Sequence, residues 1–158
     1  MASGILEVLL VDARGLEESD FFGRSDPYML IEYKSQERKS SVRQGEGRNP
    51  VWNERFSFRV QYRGADDDQH KLFLRIMDKD TFSADDFIGE ATIYLNDLFE
   101  MGVENGVAEL NPCKYNVIKT DQTYCGEIRV GLTFTPSAEM EMELNEEEEL
   151  GGWKQSYF

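Results

Sequence analysis

The segment Arg75–Ala91, RIMDKDTFSADDFIGEA, opens like a buried strand and then sets four aspartates within nine residues. Carboxylates that close repel one another, so a cation is the natural compensating partner. Asp78, Asp80 and Asp86 follow the strand pattern directly and are the candidate metal ligands. Their oxygens suit calcium, which takes about six to eight oxygen ligands at flexible geometry. An EF-hand loop counted from Asp78 does not fit. Its sixth position is Ser83 rather than glycine, its twelfth is Gly89 rather than glutamate, and the flanks read as strands. One such loop cannot close a coordination sphere, so a second acidic segment is required. LEESDFFGRSDPYMLIEY supplies it, with Asp20 and Asp26 between two apolar runs.

The elements that must position these loops read as strands. In RFSFRVQY, Phe56, Phe58, Val60 and Tyr62 share one face; Leu72, Leu74 and Ile76 do so in KLFLRIM, and Ile128, Val130, Leu132 and Phe134 in GEIRVGLTF. ILEVLLV and YMLIEY are apolar on nearly both faces, as central strands are. Turn signals, among them Gly45-Glu46-Gly47, Gly64-Ala65-Asp66 and Asn111-Pro112, separate these runs. The spacing predicts an all-β protein, an antiparallel β-sandwich. A single internal helix is expected over Leu95–Met101, with Asn96 as N-cap and Gly102 as terminator. After Pro136 the composition shifts to a glutamate block, two glycines and an aromatic end. Residues 1–136 therefore read as the domain and 137–158 as an acidic, flexible tail.

The chain has 158 residues, 40% of them hydrophobic, which suffices for one packed domain. Its net charge of −14 weighs against binding nucleic acid by phosphate neutralisation. Residues 137–158 contribute seven glutamates and one lysine, −6 in all, leaving −8 for the rest. Cys113 and Cys125 stand in no metal or redox spacing and read as free thiols. The N-terminal run lacks a basic lead and is interrupted by Glu7, and no apolar stretch approaches a membrane span. Any membrane role is therefore expected to be peripheral. No hydrolase, metalloprotease or phosphate-loop motif is present, and the lone His70 offers little general-base chemistry, so an enzyme is not expected. His70 reads as structural or exposed, Trp52 as a packing residue, and Asp66, Asp67 and Asp68 as a solvated loop tip.

Three signatures in order, SDPY at Ser25–Tyr28, NPVWNERFSF at Asn49–Phe58, and D-x-D-x5-D at Asp78–Asp86 followed by FIGEA, resemble the C2-domain family over residues 4–135. The resemblance implies an eight-stranded antiparallel β-sandwich of C2 type. It also implies the circularly permuted order, in which the first strand leads directly into calcium loop one. It further implies two or three bound Ca2+ ions held by Asp20, Asp26, Asp78, Asp80 and Asp86, with Ser83 and the Lys79 backbone carbonyl as additional ligands. Phe21 and Phe82 match loop positions where C2 domains insert apolar side chains into bilayers, and Phe22 is a weaker candidate. Lys34, Arg38, Lys39 and Arg43 match the face that contacts anionic head groups in several members.

Across its whole length the chain is similar to small single-domain plant proteins of the elicitor-responsive and sixteen-kilodalton phloem kind. That implies a monomeric, calcium-dependent binder of anionic phospholipid membranes in defence or stress signalling. Such a protein would be cytoplasmic and move to the membrane as calcium rises. The competing expectation is a protein- or RNA-interaction module of phloem type in which calcium is structural or dispensable, with RNA disfavoured by the net acidity.

Overall fold

In the computed structural model of the chain, residues 2–17, 25–64 and 69–137 are described. Asp20, Phe21, Phe22, the Asp66–Asp68 triplet and all of the tail after Ser137 lie outside them. Apolar alternation becomes eight strands among the described residues. They are β1 (Ala2–Arg14), β2 (Pro27–Tyr33), β3 (Gln36–Lys39), β4 (Val51–Tyr62), β5 (Lys71–Asp78), β6 (Asp86–Tyr94), β7 (Ala108–Ile118) and β8 (Tyr124–Pro136), all pairing antiparallel. The faces chosen by alternation are the buried ones: Phe58, Val60, Tyr62, Leu72, Leu74, Ile76, Ile128, Val130, Leu132 and Phe134 are all nearly inaccessible to solvent.

The hydrogen-bonded order is β3-β2-β5-β6-β7-β8-β1-β4. Its β6–β7 junction is a single registered pair, Glu90 opposite Ile118. The ladder therefore divides into two four-stranded halves, β3-β2-β5-β6 and β7-β8-β1-β4, which share one core between them as a sandwich. The other seam is closed by side chains instead of a ladder. The Gln36 carboxamide donates to the Arg59 carbonyl at 2.7 Å and accepts the Arg59 N–H at 2.9 Å, standing in for a strand at the β3–β4 gap.

Three local expectations are corrected. The helix α1 runs Asn96–Asn105, with Leu95 at the N-cap and Gly106 closing it through a bond to the Gly102 carbonyl. Asn96 does not cap; its side chain accepts the His70 N–H at 2.8 Å and ties α1 to the start of β5. Gly102 does not terminate α1, because its missing side chain is needed for packing: a Cβ there would lie 2.5 Å from the Phe134 ring. Asn111-Pro112 is not a turn either. It interrupts the register of β7 between Leu110 and Cys113, a place where an edge strand tolerates a residue without an N–H.

His70 is buried, with Nδ1 2.7 Å from the Tyr33 hydroxyl, and Trp52 packs in the core while its indole N–H donates to the Ser41 carbonyl at 2.9 Å. Both cysteines are free, Cys113 exposed and Cys125 buried.

Candidate metal centre

Strand register gathers the acidic loops. β2 and β5 pair with Pro27 opposite Asp78, and β5 and β6 pair with Asp78 opposite Asp86. Asp26, Asp78 and Asp86 therefore sit side by side at one end of the sheet, although they are up to 60 positions apart in the chain. Two carboxylates directly opposed on an antiparallel pair destabilise the strand end unless a cation is shared between them. Asp78 is only 6% exposed, which makes that opposition costlier than it would be in open solvent.

Backbone bonds lock the first segment onto the second. The Asp26 N–H donates to Asp78 Oδ1 at 2.8 Å, and the Lys79 N–H donates to the Asp26 carbonyl at 3.0 Å. The connection between β3 and β4 wraps the same place. The Gly45 N–H donates to Asp26 Oδ1 at 2.6 Å, and the Gly47 N–H to the Ser25 carbonyl at 3.0 Å. Ser25 is 1% exposed and its hydroxyl meets no hydrogen-bond partner among the described residues. A buried hydroxyl next in sequence to Asp26, at the sheet end where Asp78 and Asp86 are opposed, is an oxygen donor of the kind a hard divalent cation such as calcium takes.

The tip of the second loop is closed on itself. Asp80 Oδ1 accepts the Phe82 N–H at 3.0 Å and its Oδ2 accepts the Ser83 hydroxyl at 2.7 Å. Those two bonds hold the Asp80 carboxyl below the usual carboxylate range. The Ser83 hydroxyl thus serves Asp80 here. Among the described residues no three carboxylate, histidine or cysteine side chains are disposed to hold a metal ion together. Backbone register thus brings Asp26, Asp78 and Asp86 to one strand end without converging their side chains, and Asp80 is bonded within its own turn. Phe82 is 97% exposed at the tip of that turn.

One residue that organises the loop escaped the sequence reading. Asp85, adjacent to the candidate ligand Asp86, accepts the Asp80 N–H on Oδ1 at 2.9 Å and the Tyr28 hydroxyl on Oδ2. The Asp80 N–H and the Tyr28 hydroxyl hold its carboxyl low. Burial, with Asp85 alongside, pushes the Tyr28 phenol up to about 12. The available signal was the tyrosine of SDPY, but nothing in its spacing says which aspartate it meets.

The cations do not form one stripe. Arg38 and Lys39 are successive on β3 and so face opposite sides. The Arg38 guanidinium lies 5.1 Å from the Phe58 ring centre, and the Lys39 ammonium 4.6 Å from that of Tyr28. Arg43 donates to the Val51 carbonyl at 2.6 Å and pairs with Glu46 at 3.5 Å. Lys34 occupies the β2–β3 turn with positive φ, at the far end of β2 from Asp26.

A concavity of about 660 Å3 follows the β6–β7 seam. Its charged groups are already paired, Lys119 with Glu17 and Glu90 with Arg75, each at 2.7 Å.

A family model for the C2 domain matches residues 4–110. The chain is 52% identical to elicitor-responsive protein 1 of Oryza sativa subsp. japonica, over 98% of this chain and 97% of the relative. It is 48% identical to 16 kDa phloem protein 1 of Arabidopsis thaliana, over 99% and 98%. Among solved structures, a C2 domain-containing protein from an elicitor-responsive gene superposes with a TM-score of 0.67 at 41% identity, covering 87% of this chain and 94% of that one.

Proposed function

Because the chain belongs to the C2-domain family, we propose that it is a calcium-dependent phospholipid-binding module whose acidic pole is the membrane-facing end. The observation that carries this reading is the register that opposes Asp78 to Asp86 beside Asp26, with the exposed Phe82 on the loop that joins β5 to β6. Asp20, Asp26, Asp78, Asp80 and Asp86 would hold two or three calcium ions, with Ser83 and the Lys79 carbonyl as further donors. The five carboxylates carry a formal −5 that repels an anionic bilayer, and two bound calcium ions bring the sum to about −1 and supply open positions for lipid phosphate oxygens. Phe82 is free to enter the acyl boundary, and Lys39 and Arg38 flank the approach from β3. Phe21 and Phe22 are assigned to the same contact with the membrane.

Residues 1–136 are read as the binding domain in the permuted order, since β1 runs straight into the first acidic segment and β8 lies beside β1. Residues 137–158 are read as an acidic appendage. The protein would rest in the cytoplasm as a monomer and move to membranes when calcium rises, in a defence or stress response of the kind its elicitor-responsive relatives are named for. It has no assigned catalytic role. The phloem-protein likeness supports a second reading, a protein- or RNA-interaction module.

Cosedimentation of the full chain with phosphatidylserine-containing vesicles across a calcium titration, with a chelator control, separates the two readings. Binding that needs calcium and disappears in Asp80→Asn supports the switch. Binding indifferent to calcium, or none, moves the weight to the interaction module.

A further inference from the structure

Asp85 and Asp86 are neighbours of identical chemistry with opposite surroundings. Asp86 begins β6, exposed and facing Asp78 across the ladder. Asp85 is half-buried, and both of its oxygens are engaged. Oδ1 accepts the Asp80 N–H, and Oδ2 accepts the Tyr28 hydroxyl with the Lys79 ammonium 3.9 Å away. The Tyr28 ring is itself fixed, 5% exposed on β2, with the Lys39 ammonium stacked over it from β3. A continuous path therefore runs from rigid strands β3 and β2, through the tyrosine hydroxyl and Asp85, to the backbone of Asp80. Beyond it, Asp80 alone organises the tip by holding the Phe82 N–H and the Ser83 hydroxyl.

The geometry points to Asp85 as a positioning residue: with Tyr28 it latches the Asp80-bearing loop to the sheet, acting on calcium through Asp80 without being a ligand itself. This rests on the reading of the pole as a calcium site. A loop whose only anchors were its own turn bonds would have to be ordered on each binding event; the latch meets that ordering cost during folding. It also assigns the charges. The Lys79 and Lys39 cations lie by Asp85, leaving Asp86 and Asp78 as the opposed pair that a metal would relieve.

The test compares Tyr28→Phe, Asp85→Ala, Asp85→Asn and Asp86→Asn in the full chain, with two readouts. The first is amide hydrogen exchange at Asp80 and Phe82 in chelator, which needs no metal. Tyr28→Phe leaves the acceptors of both amides in place, so faster exchange at both, by about threefold to tenfold, reports a released loop. The second is calcium affinity by calorimetry without lipid. Asp85→Ala should weaken it by up to about tenfold. Asp85→Asn, which keeps an acceptor for the Asp80 N–H and a group for Tyr28, should restore most of that loss, whereas Asp86→Asn should not. Unchanged exchange in Tyr28→Phe overturns the latch. An Asp85→Asn defect as deep as that of Asp86→Asn overturns it too, by making Asp85 a ligand. If the parent chain binds no calcium, the calcium reading of the pole falls, and the exchange experiment still decides whether Tyr28 and Asp85 hold the loop.

Discussion

At the end of the sandwich where β4 finishes and β5 begins, Tyr33, Tyr62, His70 and Phe99 pack ring against ring, with centroids 5.2–6.1 Å apart. The Tyr33 hydroxyl bonds within the cluster to His70, and the Tyr62 hydroxyl donates to Glu100 on α1 at 2.5 Å. At the other end, Asp78 faces Asp86, Ser25 buries a hydroxyl with no partner among the described residues, and Phe82 stands 97% exposed. The first pole gains from aromatic contact and area removed from water. The second keeps repulsion and exposed apolar surface that folding alone would not select. Loops that pack poorly on one rigid scaffold are where binding resides, and the contrast can be attacked from either side.

The largest effect is expected at the aromatic pole. Phe99→Ala removes a fully buried ring that touches Tyr33, Tyr62, His70 and Phe134. It should lower unfolding free energy by about 3–5 kcal/mol in denaturant melts. Calcium affinity measured well below the midpoint should not change. A fall in affinity to match would mean the poles are not separable. Gly102→Ala tests the same packing more gently. The new methyl meets the Phe134 ring, and a loss of about 1–3 kcal/mol is expected despite the better helix propensity of alanine.

Phe82→Ser is the mirror experiment. A side chain almost wholly in water contributes nothing to the fold that its loss can remove, so melts should coincide with the parent. Vesicle affinity in calcium should drop by the burial of one phenylalanine in lipid, about 1.5–3 kcal/mol. Equal vesicle binding would show that Phe82 is exposed for another purpose.

The two poles were unequally legible before any coordinates. Period-2 alternation located the faces that fill the core, because a strand's side-chain period is fixed by backbone geometry. The acidic segments were legible from the density of aspartates at the strand ends, since neighbouring carboxylates repel. Asp85 was illegible for a different reason: its role is decided by the Tyr28 hydroxyl, 57 positions away, and not by its own spacing. Gly102 misled because a helix-terminating glycine and a packing glycine look alike until Phe134 is beside it. Asn111-Pro112 misled because turn chemistry and an interrupted edge strand use the same residues. Lys34, Arg38, Lys39 and Arg43 were matched to one face by resemblance, but charge in sequence carries no face of its own. On β3 adjacent cations diverge, Arg38 to Phe58 and Lys39 to Tyr28.

The smallest effect is the most pointed, because it should have opposite signs in two measurements. Asp86→Asn keeps the size and shape of the side chain and removes one charge from the opposed pair with Asp78. In chelator the repulsion is relieved, and the variant should be more stable than the parent by about 0.2–1 kcal/mol, the range for a cross-strand pair. With calcium present the order should reverse, since the parent alone gains the full binding free energy by linkage. A crossing of the two melting curves as calcium is raised is the signature of a site that keeps its repulsion for a ligand. If Asp86→Asn were destabilised in chelator as well, Asp86 would be structural, and the two poles would differ in packing but not in purpose.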